Sequence, residues 1–259
     1  MIINNLKFSI SIVIVFIVFT IIGTLSHEFG HIAVAKYFGF ETTLHYGSME
    51  YFKKGRNEFK KDKLFKEFIT IYDEFSNEIS HNLEYEKKER FLELQNILDN
   101  KYPDIAKEPS REEEIKRFFI TLGGPIQTLL TSFFGLFVLG FRGSKNKISF
   151  QFLDWFAVFL SLFALREVFN FVTAIIKFII FSKSDFYGDE FEISRYLEYN
   201  QWLIPILTFI LGLSISLYVI YKIIPFKYRF PFVISGFVGG CLGFAIWFGF
   251  LGRLLFILD

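Results

Sequence analysis

The sequence predicts an all-α polytopic membrane protein with about five transmembrane helices, a short β-hairpin and a helical soluble insertion. Two features of the composition lead to this prediction. Of the 259 residues, 52% are hydrophobic and 20% aromatic, and the charged residues are concentrated in blocks between long apolar runs. That distribution is typical of membrane proteins. The expected division is a first membrane helix with the hairpin in residues 1–52, the insertion in 53–117 and a membrane core in 118–259.

The composition also excludes several classes of function. A formal net charge of +1, without a basic groove interleaved with aromatic residues, argues against a nucleic-acid partner. The one cysteine, Cys241, allows neither an internal disulfide bond nor a cysteine-based zinc or redox motif.

The first apolar run predicts a membrane helix over residues 8–38. Lys7 followed by apolar residues is similar to the start of a secretory signal sequence. No clear cleavage site follows, and cleavage near Gly23 would detach the most informative motif of the chain. We therefore expect this helix to be retained and to cross the membrane with some tilt.

That motif is His27-Glu28-Phe29-Gly30-His31. Two histidines four residues apart lie on the same face of a helix, so both imidazoles can reach a single metal ion while Glu28 remains free. Zinc takes neutral imidazole nitrogen readily, and in catalytic sites it keeps a position for a water molecule whose pKa it lowers to about 7. The motif predicts zinc ligands at His27 and His31 and a general base at Glu28. Polar residues at membrane depth usually mark function, which favours this over two hydrogen-bonded helix histidines.

A short hairpin is expected across residues 41–52, where β-favouring residues surround a turn signal. His45 within it is a possible third ligand, although a lone histidine in a strand is more often packed or exposed. Inside the insertion, apolar residues at helical spacing predict two amphipathic helices. They are Leu64, Phe68, Ile71, Phe75, Ile79 and Leu83 in the first helix and Phe91, Leu94 and Leu98 in the second. His81 lies on the polar side of this pattern and is expected to be solvated.

Two further membrane helices are expected over residues 118–141 and 152–181. The first opens with Gly-Gly-Pro at 123–125, which predicts either a break that lines a site or a kink where two helices pack closely. The second carries three polar residues near its midpoint: Arg166, Glu167 and Asn170. An ionised side chain there costs about 2.5–3.5 kcal/mol, so these residues must face the bundle interior, a partner or water.

The most acidic short loop follows, over residues 182–193. Two membrane crossings return it to the side of the membrane on which HEFGH lies, so a carboxylate there can join the two imidazoles as a third zinc ligand. Asp185 and Asp189 are the candidates, with Glu190 behind them.

The remaining sequence predicts two last membrane helices, over residues 203–224 and 230–257. The second contains glycines whose spacing suits close helix packing, namely Gly236, Gly239, Gly240 and Gly243. With five spans, one membrane face collects basic residues unaccompanied by acids: Lys7, Arg142, Lys145, Lys147, Lys222, Lys227 and Arg229. Basic residues flanking the insertion compete with them, so charge leaves the orientation open.

Together these motifs resemble the site-2 protease family of intramembrane zinc metalloproteases, particularly its compact bacterial members. The resemblance covers residues 20–52 and 118–197. It rests on HExxH in a first membrane helix, a following hairpin, Gly-Gly-Pro in another span and an aspartate motif two spans later. It implies a multi-pass, bacterial-type cell-membrane protein that binds Zn²⁺, lies in a lipid bilayer and hydrolyses peptide bonds of membrane-embedded substrates.

In that family two histidines and a downstream aspartate bind zinc while the intervening glutamate activates water, which corresponds here to His27, His31 and Glu28. Asp189 matches the family's aspartate best, because the aliphatic Ile193 follows four residues later. The family's Leu-Asp-Gly context is absent, and Asp185 remains the alternative.

The resemblance also implies substrate-binding residues, Gln127 and Asn170. The family's Gly-Pro segment is often followed at the third residue by asparagine, and here Thr128 occupies that place beside Gln127. Asn170 is similar to the asparagine that precedes the family's aspartate motif, although nineteen residues separate it from Asp189. The strand within residues 41–52 could pair with an unwound substrate.

Two other hypotheses remain open. A membrane zinc protease of the prenylated-protein-processing or heat-shock type would take its third ligand from a glutamate in a later helix, here Glu167. A membrane scaffold or transporter subunit would carry HEFGH incidentally and bind no zinc. Substrate identity and oligomeric state are not encoded in any motif of the chain.

Overall fold

The computed structural model describes residues 2–77, 85–103, 110–181 and 186–256. The described residues are mostly helical, with one small antiparallel sheet of two strands. In chain order the elements are α1 (Ile2–Tyr37), β1 (Glu41–Leu44), β2 (Met49–Phe52), α2 (Arg56–Lys61), α3 (Lys63–Asn77), α4 (Tyr85–Lys101), α5 (Arg111–Phe141), α6 (Phe152–Ser161), α7 (Leu165–Phe181), α8 (Asp189–Tyr196), α9 (Leu203–Tyr218), α10 (Phe226–Ile246) and α11 (Gly252–Phe256).

Five helical segments are long and apolar enough to cross a membrane. They are Leu6–Tyr37, Arg111–Phe141, Phe152–Ile180, Leu203–Ile223 and Phe226–Phe256. The third joins α6 to α7 through one 3₁₀ turn, Leu162–Ala164, and the fourth and fifth contain the π turns Val219–Ile223 and Trp247–Leu251. These segments suggest a multi-pass membrane protein, and they confirm the predicted helical class and the number of apolar helices.

The described chain forms two compact units. The large unit comprises Met1–Val34, Leu44–Met49 and Arg117–Asp259, and the small unit comprises Ala35–Thr43 and Glu50–Lys116.

In the large unit, α1 packs closely against α10 through three of the four glycines that the sequence singled out. A Cβ on Gly239 would lie 2.6 Å from the carbonyl oxygen of Val13, and one on Gly236 would lie 2.8 Å from the ring of Phe16. A Cβ on Gly240 would meet nothing within 4 Å, so this glycine is not part of the contact. Small residues allow the close backbone approach that stabilises helix pairs where the hydrophobic effect between them is weak.

The structure selects between the two alternatives predicted at Gly-Gly-Pro and contradicts the prediction of a basic face without acids. The helix has no break at Gly-Gly-Pro, because α5 begins at Arg111 and continues through Pro125 to Phe141. The basic face does have an acid: buried Asp154 pairs with Arg142 and Lys147. Asp154 lies twelve residues after Arg142, and the turn between α5 and α6 brings the two side chains together.

The small unit contains the two predicted amphipathic helices, α3 and α4. The rings of Phe68 and Phe91 stack with centroids 4.7 Å apart, and Leu94 and Leu98 are buried. On their outer side Arg90 donates to Glu67 at 2.8 Å. The predicted positions Ile79, His81 and Leu83 lie outside the described residues.

Candidate metal centre

Helix α1 brings the two HEFGH histidines to one buried face. His27 and His31 are one helical turn apart, and their relative exposures are 0% and 6%. The Nε2 atoms of the two rings lie 3.2 Å apart. At 1.5 Å per residue, His27 lies about 15 Å before the end of this 36-residue helix, well inside the apolar segment.

Asp189 completes a cluster of three ligand atoms. Its Oδ2 atom lies 2.8 Å from His27 Nε2 and 3.3 Å from His31 Nε2. Ligand atoms about 2.0–2.1 Å from a tetrahedral zinc ion are separated by about 3.3 Å, so the two nitrogens and one oxygen have the chemistry and spacing of a zinc site. His27, His31 and Asp189 form a group that could hold a metal ion.

The backbone before α8 directs Asp189 into this cluster. Gly188 has φ 140° and ψ 157°, a conformation that is essentially restricted to glycine. Asp189 is therefore the first residue of a helix rather than part of an extended acidic loop.

The Nδ1 atom of each ring has a partner on α5, and the partner of His31 fixes where that ring carries its proton. His31 Nδ1–H donates to the carbonyl oxygen of Ile120 at 2.7 Å, which can only accept. His27 Nδ1 lies 3.0 Å from Thr128 Oγ1. With both protons on Nδ1, the lone pairs of both Nε2 atoms face Asp189, the arrangement that outer-sphere partners impose on zinc-binding histidines.

Glycines on α1 and α5 make room for the cluster. A Cβ on Gly124 would overlap the Nε2 atoms of His27 and His31, and one on Gly123 would collide with the backbone of Gly30. The Gly-Gly pair thus packs α5 against the metal-binding face of α1, which agrees with the close-packing alternative rather than with a break.

The remaining residue of the motif lies beside the cluster. Glu28 is 5% exposed, and its Oε1 lies 3.9 Å from a terminal nitrogen of Arg166 on α7. A buried carboxylate next to a possible metal site has the position expected of a general base.

The structure brings the other predicted residues to different places. Gln127 donates to Ser26 and to Thr131, and so links α5 to α1. Asn170, Glu167 and Glu190 line a separate small cavity. Asp185 lies outside the described residues, and His45 is not a member of the metal-binding group.

Two residues of the candidate metal centre, Thr128 and Gly124, were not predicted from the sequence as parts of it. Thr128 was noted only as a substitute for asparagine, and Gly124 only as part of a possible break. A signal existed for both, since Gly124 and Thr128 lie four residues apart on α5 and share the face that meets the histidines. Without the pairing of α1 with α5, that spacing has no interpretation.

Comparison with known proteins adds no assignment: no family model, no curated protein and no solved structure matches the chain.

Proposed function

We propose that this chain is an intramembrane zinc metalloprotease of the site-2 protease type, which hydrolyses peptide bonds of membrane-embedded protein substrates. The observation that carries the proposal is the convergence of His27, His31 and Asp189, with ligand atoms 2.8–3.3 Å apart, beside the buried carboxylate of Glu28. This combination of a two-histidine, one-carboxylate set with a free glutamate is the donor set of zinc hydrolases.

The surroundings of the cluster support a membrane location. In the most apolar 18-residue window of the first span, only 11% of residues are buried inside the protein. Large apolar side chains such as Ile10, Ile14 and Val18 are about half exposed. Such a surface is unfavourable in water, whereas a lipid bilayer accommodates it.

The proposed chemistry assigns one role to each residue. His27, His31 and Asp189 would hold zinc, which when bound makes a peptide carbonyl more electrophilic and a water molecule more acidic. Glu28 accepts the proton of the attacking water and returns it to the leaving amine. Arg166 places a positive charge 3.9 Å from the Glu28 carboxyl, and the 27% exposure of the Asp189 side chain leaves the site accessible from outside.

The two other hypotheses predict different metal contents. In a protease with a glutamate ligand, Glu167→Ala would lose zinc and Asp189→Ala would retain it. A scaffold or transporter subunit would contain no stoichiometric zinc in wild-type protein. The Asp189 distances favour the first ligand set over the Glu167 set, because Asp189 belongs to the group of ligand atoms around His27 and His31 and Glu167 does not.

The test measures zinc and cleavage in the same purified full-length protein. Elemental analysis should find one zinc per chain in wild type and in Glu28→Gln. Cleavage of fluorescent transmembrane peptides in detergent should fall about 10²- to 10⁴-fold in Glu28→Gln, the usual contribution of general-base catalysis. Glu192→Gln, an exposed acid on α8, is the matched control and should retain both. Zinc-free wild-type protein, or full cleavage by Glu28→Gln, would overturn the proposal.

A further inference from the structure

A second polar cavity lies among α7, α8 and α9, and none of its lining residues belongs to the proposed zinc-binding set. Oxygen-bearing side chains line it from all three helices: Glu167 and Asn170 from α7, Glu190 from α8 and Thr208 from α9. Gly212 brings α9 close to α7 here, since a Cβ on it would lie 3.3 Å from Glu167 Cβ. The cavity is thus built by close helix packing in the large unit.

Two buried carboxylates face this cavity without compensation. Glu167 is 1% exposed and Glu190 is 4% exposed. No donor among the described residues bonds to either side-chain oxygen of Glu167 or to Oε1 of Glu190, and the two carboxyls lie close enough to bond to each other when one is protonated. Two acids that line one small cavity away from water repel each other and lose their hydration, so something must neutralise them.

The groups nearby do not supply that neutralisation. Arg166 adds a positive charge next to Glu167 in sequence, but its guanidinium faces Glu28 and donates no hydrogen bond to the Glu167 oxygens. The hydroxyl of Thr208 donates its one proton to the carbonyl oxygens of Ile204 and Pro205. Thr208 therefore presents only lone pairs to the cavity.

Among the lining side chains only the Asn170 amide can donate a hydrogen bond into the cavity, and it donates to none of the three unpartnered carboxylate oxygens. One proton shared between the two glutamates would give a partner to two carboxylate oxygens. The third unpartnered carboxylate oxygen and the Thr208 lone pairs would remain without a donor. A metal cation would engage all of them at once. Mg²⁺ and Mn²⁺ prefer carboxylate, hydroxyl and amide oxygens as ligands. Zinc, in contrast, is readily bound by nitrogen ligands.

We propose that Glu167 and Glu190, with the side-chain oxygens of Asn170 and Thr208, form a second metal site for a hard divalent cation of the Mg²⁺ or Mn²⁺ type. The ion would neutralise both carboxylates and link α7, α8 and α9. Because Glu190 follows Asp189 directly, the same ion would hold α8 in the position that presents Asp189 to the histidines. The second site does not depend on peptidase activity.

The test uses full-length protein in detergent, stripped of metal, reloaded with one equivalent of zinc and then titrated with Mn²⁺. Bound Mn²⁺ is counted from the loss of the free-ion electron paramagnetic resonance signal. We expect one Mn²⁺ per wild-type chain and at least a tenfold weaker affinity in Glu167→Gln and in Glu190→Gln. Glu192→Gln, outside the cavity on the same helix as Glu190, should bind as wild type does.

Two further variants keep the result interpretable if a glutamine variant fails to fold. Thr208→Val and Asn170→Leu preserve the size of the side chain and should each weaken Mn²⁺ binding several-fold while zinc stays at one per chain. His27→Ala should lose zinc and still bind Mn²⁺, which separates this proposal from the zinc proposal. If the two glutamates share a proton instead, wild-type protein will bind no Mn²⁺ at 1 mM. That result, or an unchanged Mn²⁺ affinity in Glu167→Gln, would overturn the second site.

Discussion

Two buried acidic regions of the large unit differ in how their charge is compensated. Asp154, at the start of α6, is fully buried but fully satisfied. Arg142 donates to its Oδ1 at 2.9 Å, Lys147 at 2.7 Å and Ser144 at 2.6 Å, and the Gln151 N–H donates to Oδ2 at 3.0 Å. Every charge in this cluster has a partner from the chain itself.

The acids around the metal centre have no such complement. Asp189 meets two imidazole nitrogens, and no donor among the described residues bonds to the two Glu167 oxygens or to Oε1 of Glu190. The two regions are about 27 Å apart along α5, between Gly124 and Arg142. Opposite compensation of buried acids separates a polar cluster that stabilises the fold from one that could receive a cation.

Replacing one acid in each region should separate the effect on zinc binding from the effect on fold stability. We expect Asp189→Ala to weaken zinc binding about 100-fold or more, because it removes a ligand rather than an outer partner. Asp154→Asn should leave zinc affinity within about twofold of wild type. Competition with a chromogenic zinc chelator measures both, and equal zinc loss in the two variants would contradict the contrast.

Space around the histidines should matter as much as charge. Gly124→Ala places a methyl group against both Nε2 atoms, and overpacking of about 1–3 kcal/mol corresponds to a 10- to 100-fold loss of zinc affinity. Gly140→Ala on the same helix meets nothing within 4 Å and should bind zinc normally. The chelator competition assay reports both, and normal zinc affinity in Gly124→Ala would show that the rings can move aside.

The partner of His27 should have a smaller effect. Thr128→Val keeps the shape of the side chain and removes the contact with Nδ1, so zinc affinity should fall about 10-fold. Thr173→Val, whose hydroxyl bonds only within α7, is the matched control. Calorimetric zinc titration of the two variants distinguishes the roles, and identical affinities would remove Thr128 from the metal centre.

A substitution in the Asp154 cluster should change the free energy of unfolding but not the zinc affinity. Asp154→Asn leaves Arg142 and Lys147 without a counter-charge, and we expect a loss of about 1–3 kcal/mol in the free energy of unfolding. Thermal unfolding in detergent followed by tryptophan fluorescence measures it, with the exposed Asp99→Asn as control. A stability equal to that of wild type would mean that both cations find water instead.

The smallest effect is expected at a partly buried acid of the small unit, Asp62. Hydrogen bonds from the Lys101 ammonium, the Leu64 N–H and the Tyr102 hydroxyl lower the pKa of Asp62 to about 2. A carboxyl with a lowered pKa stabilises the folded state above its unfolded pKa of about 4, and this stabilisation is lost as the pH falls towards 2.

Amide hydrogen exchange tests this sign. Asp62→Asn should reduce the protection of α3 and α4 slightly at pH 6 and match wild type near pH 2. A difference of the same size at both pH values would assign the effect to packing rather than to charge.

Much of the architecture followed from local pattern. The apolar runs predicted five helices, β-favouring residues around a turn signal predicted the hairpin, and the spacing in the insertion predicted α3 and α4. The sequence could not decide between a break and close packing at Gly-Gly-Pro, because proline and glycine weaken an isolated helix, whereas packing against α1 sustains α5 through them.

The sequence by itself determined His27, Glu28 and His31 as a unit, because residues four apart on one helix share a face in any tertiary structure. Only the tertiary structure decided which carboxylate joins them and which acids stay apart. Asp189 lies 158 residues after His31, and its approach depends on the turn at Gly188 and on the packing of α5 against α1. No local periodicity encodes a contact at such a separation, so the metal-binding group became visible only once the helices were assembled.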